Sequence, residues 1–296
     1  VENIFDVIFG GIIEWIEEML ISFIASGLGM MFNNVNSQVE YATGALTITP
    51  MDYMGGVIFN MVLAIGENVI MVIGGLIVTF VMTYELIQML IEKNNMVDFE
   101  VANIYKWIFK CFIIAFIGSN VFNIVGASFE LGAWAVNGAA GVIGDTTAEF
   151  PDADEITDAL EDREIGELLG IFFAVFIAGI FFNILSIALF IVTLGRFLEI
   201  YVTIALSPIP LATLASREWS SMGNNYLKSI LAVAFQGVLM MVCFGMYAAL
   251  MVDISASLLD ADTFAVQIWQ ALGITVLLAY SLFKVGSVSK SVFGAH

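Results

Sequence analysis

The chain has 296 residues, 60% of them hydrophobic and only 12% charged, with a mean hydropathy of +0.96. Ordinary globular chains are about 45–50% apolar and about 25% charged, so a water-facing globule, a disordered tail and a secreted disulfide scaffold are excluded, and an all-α polytopic membrane protein remains. Nine Lys and Arg stand against 28 Asp and Glu, a net charge of −19, which excludes a basic nucleic-acid-binding domain and general electrostatic adhesion to phosphate polymers or to anionic lipid heads.

Residues 3–32 are apolar enough to span, yet Glu2, Asp6, Glu14 and Glu17 share one stripe at helical spacing. This predicts an amphipathic helix lying in the membrane interface. No basic n-region or cleavage pattern of a secretory signal opens the chain. A helix over 53–66 leads into a span over 68–91. A second span covers 111–129. A hydrocarbon core needs about 20 apolar residues as helix, and both stretches supply that.

Residues 130–167 then carry eleven acidic residues against Arg163 alone, and read as an external loop. Within it Pro151 and Asp152 can open a helix, and Ile156, Ala159, Leu160, Ile165 and Leu168 recur at helical spacing. The acids Asp152, Asp154, Glu155, Asp158, Glu161 and Asp162 would form its wet face, either as a solvated lead-in to the next span or as a docking surface for a partner.

The longest uncharged stretch, 168–195, would reach about 42 Å as helix. Gly170, Ala174 and Ala178 recur on it every four residues, a pattern that lets helix backbones approach closely in lipid. Residues 200–216 are apolar but interrupted by Ser207, Pro208 and Pro210. Proline removes a donor and clashes with the preceding turn, so two short helical pieces with a break are expected, re-entering rather than crossing. Spans over 229–252 and 263–283 follow.

Orientation follows the basic residues. Lys93, Lys106 and Lys110 lie between the first two spans, Arg196, Arg217 and Lys228 around the broken element, and Lys284 and Lys290 after the last span. With 200–216 re-entrant, every basic residue but Arg163 is cytoplasmic, which gives five full spans, an external N-terminal end and a cytoplasmic C-terminal end. Trp107 and Trp219 fall at inner boundaries, Trp134 and Trp269 near outer ones. The expected organisation is an interfacial helix and external linker over 1–52, two spans with a basic cytoplasmic loop over 53–129, the acidic loop 130–167, and a C-terminal membrane region over 168–296.

Ionisable groups within apolar segments are candidates for function. Glu67 reads either as a boundary marker or as a carboxylate facing a pore or subunit, and Glu85 either as a group reaching the interface or as a second such carboxylate. Arg196 and Glu199, three residues apart, can pair on one helix face and anchor the mouth of the broken element. Asn120, Asn123, Asn183 and Gln236 can hydrogen-bond between helices or line a wet path. Cys111 and Cys243 sit in apolar runs and read as small hydrophobes. A single histidine, His296, leaves no ligand set for zinc, haem or iron–sulfur, and no nucleophile–base arrangement is present. No cofactor and no enzymatic activity are expected.

Residues 195–251 carry a basic residue after a long span (Arg196), an A-L-S-P-I-P break (Ala205 to Pro210), a polar W-S-S-M-G-N-N turn (Trp219 to Asn225) and a further long span. In these features the chain resembles the TrbL-type family, polytopic membrane subunits of type IV secretion and conjugation machines, in a short acidic version like those of Gram-positive conjugative elements. The resemblance implies a homo-oligomer, such as a pentamer, in the cytoplasmic membrane. It also implies other secretion subunits and ATPases as partners, membrane lipids around it, and single-stranded DNA with an attached relaxase as transient cargo. In that family the external loop after the second span is associated with substrate passage. Here that loop is strongly acidic and would repel DNA phosphates, which favours protein contact. Two other readings stand beside it: a small-solute or ion transporter with a discontinuous helix, and a scaffold without a conduit.

Overall fold

The computed structural model describes residues 2–92, 101–144, 149–259 and 264–295, with side chains from residue 10 onward apart from those of residues 92 and 101. Lys93, Asp145, Asp260, Asp262 and His296 lie outside the described residues, as do the side chains of Glu2 and Asp6. Ten α-helices and no strand are present among the described residues. They are α1 (Glu2–Thr47), α2 (Val57–Ile65), α3 (Met71–Glu92), α4 (Val101–Ser119), α5 (Val121–Ile143), α6 (Ala153–Leu160), α7 (Ile165–Leu206), α8 (Pro208–Ala212), α9 (Ser220–Ser257) and α10 (Phe264–Phe293). Among the described residues six stretches are long and apolar enough to cross a membrane: Gly10–Thr47, Tyr53–Ile91, Ala102–Ser119, Ile165–Ala215, Ser220–Ser257 and Phe264–Phe293. The protein is an all-α, multi-pass membrane protein.

The amphipathic helix read over 3–32 does not stop there. It continues to Thr47 because 33–47 holds no proline and carries on the buried stripe of Leu20, Ile24, Leu28, Met31 and Phe32 through Val35, Val39 and Ala42. The linker expected after it shrinks accordingly, to the turn after Thr47. Residues 111–129 are not one helix. Asn120 separates α4 from α5, since its amide donates to Phe116 O (3.0 Å), as does the Ser119 hydroxyl (3.1 Å). Side chains that satisfy the backbone this way compete with helix continuation. The external loop read over 130–167 also begins later, because 130–143 belong to α5.

The chain forms two compact units. One comprises residues 1–44, 142–193 and 241–283. Here α1 and α7 pack closely enough that a Cβ on Gly27 would stand 2.9 Å from the Val175 side chain. Asn34 donates to Asn183 Oδ1 at 3.3 Å, an interhelical bond of the kind expected of Asn183. Phe32 stacks on Phe150 at 3.7 Å and meets Phe182 edge-on. The other unit comprises 45–141, 194–240 and 284–296. Its core holds Val121, Val125 and Phe129 of α5, Ile200 and Ile204 of α7, Leu211 of α8, and Ile230, Val233 and Ala234 of α9. A second cluster pins the turn after α1: Tyr53 stacks on Phe197 at 3.8 Å, and the Tyr201 hydroxyl donates to Pro50 O at 2.9 Å. That turn holds Met54, Gly55 and Gly56 at positive φ, which tightens the reversal into α2.

Candidate functional site

The sequence places its chain break at Ser207-Pro208-Ile209-Pro210, and the structure shows how the break is tolerated. Pro208 has no N–H to give to Ile204 O, which a continuous helix would require. The buried Ser207 hydroxyl donates to that oxygen instead at 2.7 Å, joined by its own N–H at 3.3 Å. The Tyr226 hydroxyl donates to Thr203 O one residue earlier. After the five-residue α8, Thr213 Oγ1 donates to Pro210 O (2.8 Å) and accepts from Gly223 N–H (3.1 Å). The backbone keeps right-handed helical dihedrals through Ser207 and Thr213, so what the prolines remove is hydrogen bonding, and at membrane depth such freed groups need protein or a wet cavity to satisfy them; here each has a protein partner.

The first of the two helical pieces expected over 200–216 is not separate. It is the last part of α7, which runs unbroken from Ile165 through Arg196 to Leu206. The polar stretch from Trp219 to Asn225 is not a turn either. The turn is 216–219, where Ser216 Oγ accepts from the N–H of Glu218 (3.1 Å) and Trp219 (3.2 Å), and α9 starts at Ser220. Such a side-chain acceptor serves the unpaired donors of a helix start.

Pro208 rests on α3 at Gly74, where an added Cβ would lie 2.9 Å from both Pro208 Cβ and Pro208 O. Beside this contact a cavity of about 200 Å³ opens between α3, α4 and α8, lined by Met71, Gly75, Val78, Ile114, Gly118 and Leu211 among others. It is almost wholly apolar. Toward the end of α3 the lining turns polar. Glu85 accepts from Arg217 N–H at 2.5 Å and faces Lys110 Nζ at 3.4 Å, and Lys110 also donates to Ala215 O at 3.4 Å. The Tyr84 hydroxyl donates to Glu218 Oε1 at 3.3 Å and accepts from Gln88 at 2.7 Å. Trp219 stacks on Tyr84 and Phe80, and Trp107 donates to Met82 O at 3.1 Å. Glu85 thus clamps the end of the broken element to α3 and α4. No short-range spacing in the sequence points to this partnership.

The other candidates fall elsewhere. Arg196 and Glu199 do not form the expected ion pair. Glu199 Oε1 lies 2.9 Å from Lys290 Nζ on α10, and Arg196 is only 5% exposed, its guanidinium over the Phe197 ring and against Gly237. Arg196 is buried while the half-exposed Glu199 lies within salt-bridge reach of Lys290, so Arg196 and Glu199 keep an electrostatic attraction without a salt bridge. Glu67 is exposed, on a π-helical turn (Gly66–Ile70) opened where the Phe122 ring presses on Gly66. Of the small-residue stripe, Ala174 and Ala178 are buried, but Gly170 is exposed with nothing within 4 Å of a Cβ placed there. A much closer backbone approach lies at Gly132 of α5, where a Cβ would stand 2.4 Å from Ala234 O of α9.

The acidic helix is α6. Asp152 Oδ1 accepts from the N–H of Asp154 and Glu155 (3.0 and 2.9 Å), and Glu155 Oε2 accepts from Asp152 N–H (3.1 Å), a reciprocal cap. Ile156, Leu160 and Leu168 are buried, while Asp152, Asp154, Glu155, Asp158, Glu161 and Asp162 are all exposed. Ile165 and Leu168 belong to α7, because the chain turns between Glu161 and Glu164. Among the described residues no group of three or more His, Cys, Asp or Glu could hold a metal ion, and Cys111 and Cys243 are free thiols.

A family model described as TrbL/VirB6 plasmid conjugal transfer like protein matches residues 35–208. No curated protein and no solved structure matches. The matched region overlaps the 195–251 stretch only at its start, so the family signal lies mainly in the helices that come before the break. Since the match covers more than half of the chain and ends on Pro208, the chain belongs to the TrbL/VirB6 plasmid conjugal transfer-like family.

Proposed function

We propose that this protein is a membrane-embedded channel or scaffold subunit of a conjugative type IV secretion system, helping single-stranded DNA with an attached protein to cross the cytoplasmic membrane. The observation that carries this reading is the broken element. The family match closes on Pro208, where the helical hydrogen bonding of α7 is interrupted at Ser207 while the backbone stays right-handed helical, and the freed carbonyls are held by Ser207 and Tyr226 with Pro208 packed on Gly74. Backbone freed from helix bonding at membrane depth is tolerated where it is buried in protein or lines a water-filled path; here it is buried, and we read it as a support for such a path. The protein would act as a homo-oligomer beside the other secretion subunits and their ATPases, with Glu67 on a surface open to a neighbouring copy or to the path.

The lysine-bearing end of α3 and α4 belongs to the cytosolic side by the distribution of basic residues, and the acidic α6 to the outer side. Counting Gly10–Thr47 as a crossing gives six. Both ends of the chain then lie in the cytosol, in place of the outward N-terminal end that five crossings imply.

The test is replacement of Pro208 and Pro210 by Ala in a conjugative host. Transfer frequency is expected to collapse while the protein remains in the membrane fraction. Undiminished transfer removes the broken element from the reading. Deletion of the whole gene with no effect on transfer, and a changed solute uptake instead, replaces the secretion role with transport.

A further inference from the structure

A polar cavity of about 190 Å³ lies at the end of α3, among Glu85, Lys106, Lys110, Arg217 and Glu218. Three of the nine basic residues of a chain with net charge −19 line this one space. Its two carboxylates are engaged by the protein: Glu85 accepts from Arg217 N–H and faces Lys110, and Glu218 accepts from Tyr84. The Lys110 contact is long, at 3.4 Å, and its side chain is 41% exposed, so its ammonium keeps donor capacity for another acceptor. Lys106 is exposed and makes no ion pair among the described residues. Asn103 adds a neutral donor.

The surroundings identify what carries the anion. Trp107 lines the cavity, and Tyr84 and Trp219 stack beside it, the amphipathic rings that settle at headgroup level. The adjoining outer face of α4 is apolar and uncovered, with Tyr105 68%, Phe109 63% and Phe112 67% exposed. A polar cavity whose three basic residues outnumber its two carboxylates, opening beside such a face, matches a phosphate on one end and hydrocarbon chains on the other.

We infer that Lys106 and Lys110 form a binding site for the phosphate of an anionic phospholipid, whose acyl chains lie along α4. Basic pockets between membrane helices on the cytoplasmic side take such headgroups. The site does not depend on the transfer role, and its failure would leave that role untouched.

The experiment uses the full chain with Trp15, Trp134 and Trp269 replaced by Phe, so that only Trp107 and Trp219 emit. It is reconstituted in vesicles containing either brominated phosphatidylglycerol or brominated phosphatidylcholine in an unlabelled background. Quenching is expected at a much lower mole fraction of the glycerol lipid, and Lys106→Gln should reduce that preference about five-fold, as one lost lysine at a membrane surface would. Lys110→Gln adds a further loss. Because Lys106 is exposed and makes no ion pair among the described residues, its variant carries the result by itself. Equal quenching by the two lipids, or a preference unchanged in Lys106→Gln, overturns the site. Displacement of the brominated lipid by millimolar inorganic phosphate would assign the cavity to a free anion. Displacement by an oligothymidylate would assign it to nucleic acid. Either result overturns the lipid assignment.

Discussion

The ring of Pro208 occupies the space that a side chain on Gly74 would need: a Cβ there would lie 2.9 Å from the proline ring and equally close to its carbonyl oxygen. Since the obstacle includes backbone, it cannot move aside by a rotamer change. Gly74→Ala should lower the thermal stability of the detergent-solubilised protein by about 1–3 kcal/mol, the usual cost of overpacking. Gly75, its neighbour, has nothing within 4 Å of its Cβ position. Gly75→Ala should therefore be neutral or slightly stabilising, by up to about 1 kcal/mol for a helix-interior glycine. Equal effects at the two positions would dissolve the contact.

The Ser207 hydroxyl stands in for the donor that Pro208 lacks, so the two residues should be coupled. Ser207→Ala alone leaves Ile204 O short of its hydroxyl partner in a buried place and should cost about 1–3 kcal/mol. In a Pro208→Ala background the new N–H can serve the same oxygen. The hydroxyl then matters less, and the double variant should be clearly more stable than the sum of the two changes. Additive costs in chemical unfolding would show that the serine does something else.

Glu85 joins two groups far away in the chain, Lys110 and the Arg217 N–H. Replacing Lys110 by Gln removes a partly exposed pair, which is worth at most about 1 kcal/mol. Glu85→Ala should be the more harmful change, because the 217 turn loses its acceptor as well. Protease sensitivity near residue 217, compared between the two variants, checks the order. A larger effect from Lys110→Gln reverses it.

Gly132 and Gly170 make a matched pair for helix packing. An added methyl at Gly132 meets Ala234 O at 2.4 Å, whereas at Gly170 it meets nothing within 4 Å. Gly132→Ala should reduce the yield of folded protein and its melting temperature, and Gly170→Ala should not. A bulky residue at Gly170, Gly170→Leu, then tests whether that open position is used between copies: a smaller particle by native gel would place it there.

A single cysteine at Asp154, in a chain lacking Cys111 and Cys243, should react with an impermeant thiol reagent applied to whole cells, and one at Lys106 should not. Both positions are exposed, so access across the membrane alone decides the labelling. Reaction at both from outside reverses the proposed placement of one of them.

The helical, membrane-spanning character was legible from residues 168–195 and 229–252 by themselves, because a long uncharged run has no other stable place to go. The break at Pro208 was legible too, since a missing N–H is a covalent fact that no packing restores. The cap of α6 could be read from Asp152 and the apolar spacing after it, because its bonds span only three residues. Tertiary structure decided the rest. Glu199 has its salt bridge with Lys290, 91 residues off, and not with Arg196, three residues off, and Glu85 found its partners 25 and 132 residues away. The close helix contacts settled on Gly74 and Gly132 rather than Gly170. Spacing along one helix says which side chains share a face, but not which face meets another helix. In lipid, where apolar surfaces are indifferent to one another, that choice rests on shape and on polar partners that only the folded chain brings together.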